Sequence, residues 1–163
     1  LDEFERQLSA LLPRLRRFAR SLTRDHADAD DLAQLSLERA LNARVQWQTG
    51  TRLDSWMYRI MKNAWIDEVR SRTRRGRTFA PEEAGAGVGE DVRGSIEARI
   101  EVGHVERAMA RLPDEQRLAV ALVLVEGLSY REASEVLDVP MGTLTSRLVR
   151  GRQALMASLG EAT

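Results

Sequence analysis

The chain has 163 residues, of which 31% are charged and 43% apolar, a length for one ordinary domain or two small ones and the composition of a soluble protein. It has 25 basic and 25 acidic side chains and no cysteine, which excludes disulfides, thiolate zinc sites and cysteine nucleophiles and fits a reducing compartment. Its longest apolar run, 118–125, is too short to span a bilayer, and no signal-peptide pattern is present, so the expected location is the cytoplasm, without membrane insertion.

Phe4, Leu8, Leu11, Leu15, Phe18 and Leu22 recur at spacings of four and three and predict a first helix. Pro13 lies inside this stripe and is expected to kink the helix or start a new one. After a polar break at 23–27, Asp28 suits an N-cap for a helix to about Arg44. A loop carrying Trp47 follows, then a helix from about Arg52 to Arg74. On a helical wheel one side of it holds Leu53, Met57, Ile60, Met61 and Ala64. The other side holds Ser55, Arg59, Lys62, Asn63, Ile66, Arg70 and Thr73. The stretch 52–77 has 8 basic and 3 acidic residues, which suits a polyanion. Aromatics beside such a stripe can stack on unpaired bases. For Trp56 and Trp65, burial is the favoured reading.

The composition changes at 76–95, where GRTFAPEEAGAGVGEDVRGS has five glycines and almost no bulky apolar residue. It reads as a flexible linker. The second module opens with a helix at 96–112. Pro113, Asp114 and Glu115 start the next, which ends near Gly127. Ser129 and Glu132 form a capping box for a short helix to Leu137. Asp138 marks a turn with positive φ, and Pro140 suits the first position of a last helix. That helix has its apolar positions at Leu144, Leu148, Leu155 and Leu159. Its polar face shows Thr143, Thr145, Ser146, Arg147 and Arg150, and no acid occurs from Pro140 to Gly160. Two short helices and a tight turn predict a helix-turn-helix reading DNA. A helical hairpin with a basic exposed face fits the pattern equally well. His26 and His104 make no metal constellation, no nucleophile–base pairing or phosphate loop stands out, and neither an enzyme nor a cofactor is expected.

Three stretches together resemble the extracytoplasmic-function sigma factors, the small two-domain class of bacterial transcription initiation factors. ADDLAQLSLERAL at 29–41 is similar to the core-binding helix of sigma region two. SWMYRIMKNAWIDEVRSRTRR at 55–75 is similar to the stretch that melts and reads the −10 element. RLPDEQRLAVALVLVEGLSYREASEVLDVPMGTLTSRLVRGRQAL at 111–155 is similar to region four, which reads the −35 element. The resemblance implies an all-α fold of two helical modules, region two at 1–75 and region four at 96–163, joined by the linker at 76–95. It implies three partners: core RNA polymerase (the β′ clamp helices and the β subunit), promoter DNA and an anti-sigma factor. Asp30, Asp31, Leu32 and Gln34 match the core-binding surface. Asn63 and Asp67 match base-reading positions, Arg59, Lys62 and Arg70 would hold phosphates, and Trp47 lies in the loop that pockets a flipped base. Thr143, Thr145, Ser146, Arg147 and Arg150 would read the −35 duplex. Glu82, Glu83, Glu90 and Asp91 would thread along the polymerase channel.

The chain departs from the family pattern in places. Gln34-Leu-Ser-Leu37 replaces the usual Gln-Glu-Thr-Phe, Glu132-Ala-Ser134 replaces Glu-Ile-Ala, Asp138 replaces a turn glycine, and Thr145 stands where a cation is common. Two other functions remain open on these residues. A sigma-like decoy would bind an anti-sigma factor without initiating transcription, but has no need of Asn63 or a basic DNA face. A stand-alone helix-turn-helix regulator would leave the first 75 residues unexplained.

Overall fold

The computed structural model describes residues 1–76 and 96–161, with side chains described at 1–74 and 102–160. The linker expectation, with Glu82, Glu83, Glu90 and Asp91, lies outside the described residues apart from Gly76. Every regular element among the described residues is helical: α1 (Glu3–Leu22), α2 (His26–Asn42), α3 (Leu53–Gly76), α4 (Ile96–Arg111), α5 (Asp114–Val120), α6 (Tyr130–Leu137) and α7 (Met141–Glu161).

Local chemistry sets the ends. Asp2 caps α1 by accepting from the Glu5 N–H at 2.8 Å, and Glu5 returns a bond to the Asp2 N–H, a capping box at the chain start. Pro13 does not break α1, which runs through it as one helix. The carbonyl that loses its partner belongs to Ser9, and both residues are exposed, so water can complete it. Phe4 and Leu8 before the proline, and Leu15, Phe18 and Leu22 after it, anchor both halves in the core. Asp25, not Asp28, caps α2, accepting from the Asp28 N–H at 2.7 Å. A short 3₁₀ turn, Arg44–Gln46, leads to Trp47.

In the second module, Pro113 is the N-cap of α5 rather than its first residue. Beyond Val120 the helix widens into a π turn at Ala121–Val125, where the Glu126 N–H bonds the Ala121 carbonyl at 2.9 Å. Gly127, at φ 75°, ends this segment. Ser129 and Glu132 form the expected capping box on α6. Asp138 takes the left-handed conformation at φ 55°, and α7 begins just after Pro140.

The two modules are packed on each other rather than apart. α1 lies against α4, α5 and the π turn, and α3 lies against α6. One apolar core runs continuously from Phe4, Phe18 and Met57 to Leu122, Leu144 and Leu148. Within the second module α7 crosses α5 at Gly151. A Cβ there would stand 2.8 Å from Val120 Cγ2 and 3.2 Å from Gln116 Cβ. Gly151→Ala is therefore expected to lower the thermal unfolding midpoint. Overpacking costs about 1–3 kcal/mol and exceeds the roughly 1 kcal/mol that alanine brings in helix propensity. A raised midpoint would show that the two helices can part.

Candidate nucleic-acid interface

α3 positions the first face. Leu53, Met57, Tyr58, Met61, Ala64 and Trp65 are buried and fix its rotation. Tyr58 and Trp65 join the expected stripe because the module contact covers a wider arc than one amphipathic face requires. Trp56 packs edge-on against Phe4 and is half-buried. Trp47 is also half-buried, with its ring 5.7 Å from Phe4. On the outer arc Asn63 and Arg70 are exposed. Asp67 is exposed but engaged by Arg39 at 3.0 Å.

The other two cations of this arc lie where α3 meets the second module, Arg59 exposed and Lys62 half-buried. Arg59 donates to the Glu135 carbonyl at the end of α6, at 2.6 Å. Lys62 is half-buried and close enough to Asp138 to feel its charge. Burial, then the Arg59 charge, push its ammonium below the usual lysine range, and Asp138 only partly opposes them.

Polar clamps hold this arrangement. Glu126, at the end of the π turn, is fully shielded by its side chain's surroundings. It accepts two bonds from Arg17 of α1, both at 2.9 Å, and one from the Tyr58 hydroxyl of α3 at 2.8 Å. Burial, then the Glu126 bond, push the Tyr58 phenol upward, so it stays a neutral donor. Arg52, at the foot of α3, pairs with Glu132 of α6 and with Asp54. Asp54 also takes Arg14 of α1 at 3.2 Å. Burial alone would raise the Asp54 carboxyl, but the bonds from Arg52, the Ser55 N–H and Arg14 outweigh it and hold it below the ordinary value. A depressed carboxylate adds stability above its unfolded pKa of about 3.9 and loses it as pH falls through the folded value. The unfolding midpoint is thus expected to drop below about pH 4, and Asp54→Asn to flatten that drop. An equally steep acid limb in the variant would remove Asp54 from this role.

α7 carries the second face. Ser146 and Arg150 are exposed, and Thr143, Thr145 and Arg147 are half-buried. Thr145 donates its hydroxyl to the Met141 carbonyl of its own helix at 2.9 Å. The face is not acid-free in space: Glu115 of α5 reaches Arg147 at 3.6 Å. Thr143, Ser146, Arg147 and Arg150 line one open groove with Glu115 and Gln116. Sequence reasoning missed Glu115 because only tertiary packing brings α5 beside α7.

α2 carries the acidic surface. Asp30, Asp31 and Gln34 are exposed, but Leu32 is buried among the first module's core residues and offers no surface to a partner. Its neighbours in the buried row are Ala29, Ala33, Ser36 and Ala40, small residues that hide the stripe from a pattern based on bulk. Asp28 is engaged by Arg72 of α3 at 2.8 Å.

The sequence matches the Sigma-70 region 2 family over residues 8–75 and the Sigma-70, region 4 family over residues 104–155. It is 32% identical to the ECF RNA polymerase sigma factor EcfG of Rhodopseudomonas palustris over 160 residues, 97% of this chain and 86% of that protein. It is 36% identical to the ECF RNA polymerase sigma factor SigE of Mycolicibacterium smegmatis over 94% of this chain and 59% of that protein. Its fold is similar to that of the sigma factor RpoE from Bartonella quintana, solved in complex with the anti-sigma factor NepR. The TM-score is 0.84 at 29% identity, covering 98% of each chain. With both sigma regions in order and relatives aligned over nearly its whole length, this chain belongs to the ECF RNA polymerase sigma factors.

Proposed function

We propose that the chain is an alternative sigma factor: it binds core RNA polymerase, directs it to a specific promoter set, and is held in check by an anti-sigma factor. The observation that carries this reading is the pairing of two faces on one chain, Asn63 among cations on α3 and an arginine-bearing groove on α7. Asn63 and Asp67 read bases unstacked from the −10 duplex, with Trp47 beside the pocket. Arg59, Lys62 and Arg70 hold phosphates. Thr143, Thr145, Ser146, Arg147 and Arg150 read the −35 duplex from the major groove. Asp30, Asp31 and Gln34 dock on the β′ clamp helices. Leu32 contributes by packing rather than contact.

α6 packs along α3 beside Arg59, which donates to the Glu135 carbonyl, so α6 and a DNA strand compete for this part of the −10 face. The −10 face therefore works only after the modules separate. Core polymerase supplies surfaces for both modules and draws the equilibrium toward the separated form.

Run-off transcription with core polymerase on a genomic promoter library tests this function. The expected result is specific start sites. Binding to an anti-sigma factor without binding to core would overturn it in favour of a decoy. Within that assay, Arg150→Ala is expected to weaken −35-dependent promoters, and Asn63→Ala to impair opening more than core binding. Each lost base contact costs about 1–3 kcal/mol. Equal loss of opening and core binding in Asn63→Ala would indicate a folding defect instead.

A further inference from the structure

Away from both faces, four arginines converge on one groove. Arg24 comes from the bend between α1 and α2, Arg107 and Arg111 from the last turns of α4, and Arg117 from α5. Ala110, Leu112 and Asp114 complete its lining, so one carboxylate faces four guanidinium groups. Asp114 reaches only Arg117, at 3.9 Å. Arg24, Arg107 and Arg111 are exposed, and no ion pair among the described residues engages them.

Arg117 is the floor. Its side chain is 7% exposed, and its N–H groups bond the carbonyls of Met109, Ala110, Leu112 and Leu22 at 2.8–3.1 Å. It also stands 5.8 Å from the Trp65 ring. Burial first, with the Arg24 charge adding to it, pushes this guanidinium below its usual range. The groove thus gathers four guanidinium groups against one carboxylate in a chain whose net charge is zero.

We propose that this groove binds a short oligophosphate, and that the bound anion bridges the two modules. Guanidinium forks match phosphate oxygens in pairs, so three free forks suit two or three linked phosphates. A nucleic-acid strand is a poorer fit. The arginines surround one groove of about 600 Å³ rather than forming a stripe, and no aromatic side chain lines it for base stacking. Arg24 belongs to the first module and the other three to the second. An anion touching both sides stabilises the packed arrangement in proportion to its occupancy. Promoter engagement requires separation, so the anion and the promoter oppose each other reciprocally. The inference goes beyond the promoter reading, since none of the four arginines belongs to the faces assigned to DNA or core polymerase.

The test titrates the full chain with inorganic tripolyphosphate by calorimetry at low ionic strength. The variants are Arg24→Gln and the double variant Arg107→Gln/Arg111→Gln, with Arg117 left intact because it holds the fold. Thermal unfolding confirms that both variants are folded. The expected result is one saturable site, weakened about tenfold or more in each variant, and a shorter inter-module distance by paired fluorophores on saturation. Absence of saturable binding, or binding that survives both variants, overturns the proposal. Unchanged affinity in Arg24→Gln overturns the bridging. Tighter arginine-dependent binding of a short oligothymidylate than of tripolyphosphate overturns the ligand class in favour of single-stranded nucleic acid.

Discussion

Arg17→Met is expected to separate the two modules. The substitution keeps the aliphatic stem of Arg17 but leaves the Glu126 carboxylate enclosed with the Tyr58 hydroxyl as its one remaining partner. Removing one member of a fully buried ion pair costs about 3–5 kcal/mol; Arg17 is half exposed, so the loss here is smaller and comes from the enclosed Glu126 charge. Here the chain has a cheaper exit than unfolding. The pair spans the two modules, so parting them returns Glu126 to water. Small-angle scattering should therefore show a larger radius of gyration, while far-ultraviolet circular dichroism keeps its helical signal. Tyr58→Phe removes a single hydrogen bond to a carboxylate that keeps both Arg17 bonds, and is expected to cost about 1.5–3 kcal/mol without opening the chain. Unchanged scattering in Arg17→Met would show that apolar burial alone holds the modules together.

Arg117→Met is expected to destabilise the fold, by about 1–3 kcal/mol for a buried carbonyl left unpaired and by more when several are, read as a loss of urea midpoint at constant slope. Its guanidinium serves carbonyls at the ends of α1 and α4 and in the connection to α5. These are the carbonyls that a helix leaves unpaired at its C-terminus, where positive charge is also favoured by the helix dipole. Methionine fills the volume but offers no donor, so several buried oxygens lose their partners at once. The effects of the separate bonds do not add, because one side chain makes all four. A loss below about 1 kcal/mol would mean that water reaches these carbonyls.

What the sequence disclosed was local, and what it concealed was distant. The capping box of Ser129 and Glu132 and the left-handed turn at Asp138 depend on residues within a few positions of each other, and both stood in the pattern. Glu126 reads as an ordinary acid near a helix end. Its meaning comes from Arg17, 109 positions earlier, and Tyr58, 68 positions earlier. Arg59 reads correctly as an exposed cation on the basic arc, but not as the donor to Glu135, 76 positions away. The same limit applies to the candidate faces. Arg147 and Arg150 could be named from spacing, but Glu115 could not. The family resemblance puts Leu32 on the core-binding surface because its position matches the motif of that helix. The alanines and the serine on its own face show that it points inward.

The π turn at 121–125 has a consequence for chain length. It holds one residue more than an α-helical turn would need to bring positions 121 and 126 into line. A chain shorter by one residue here would close the segment as a regular α-helix and still aim its carboxylate at α1. Insertion and deletion are normally ruinous inside a packed helix, because each residue rotates everything after it by about 100°. This segment absorbs that rotation on the spot. A one-residue deletion within 121–125 would therefore leave the contacts on either side in phase, whereas one in the middle of α3 would not.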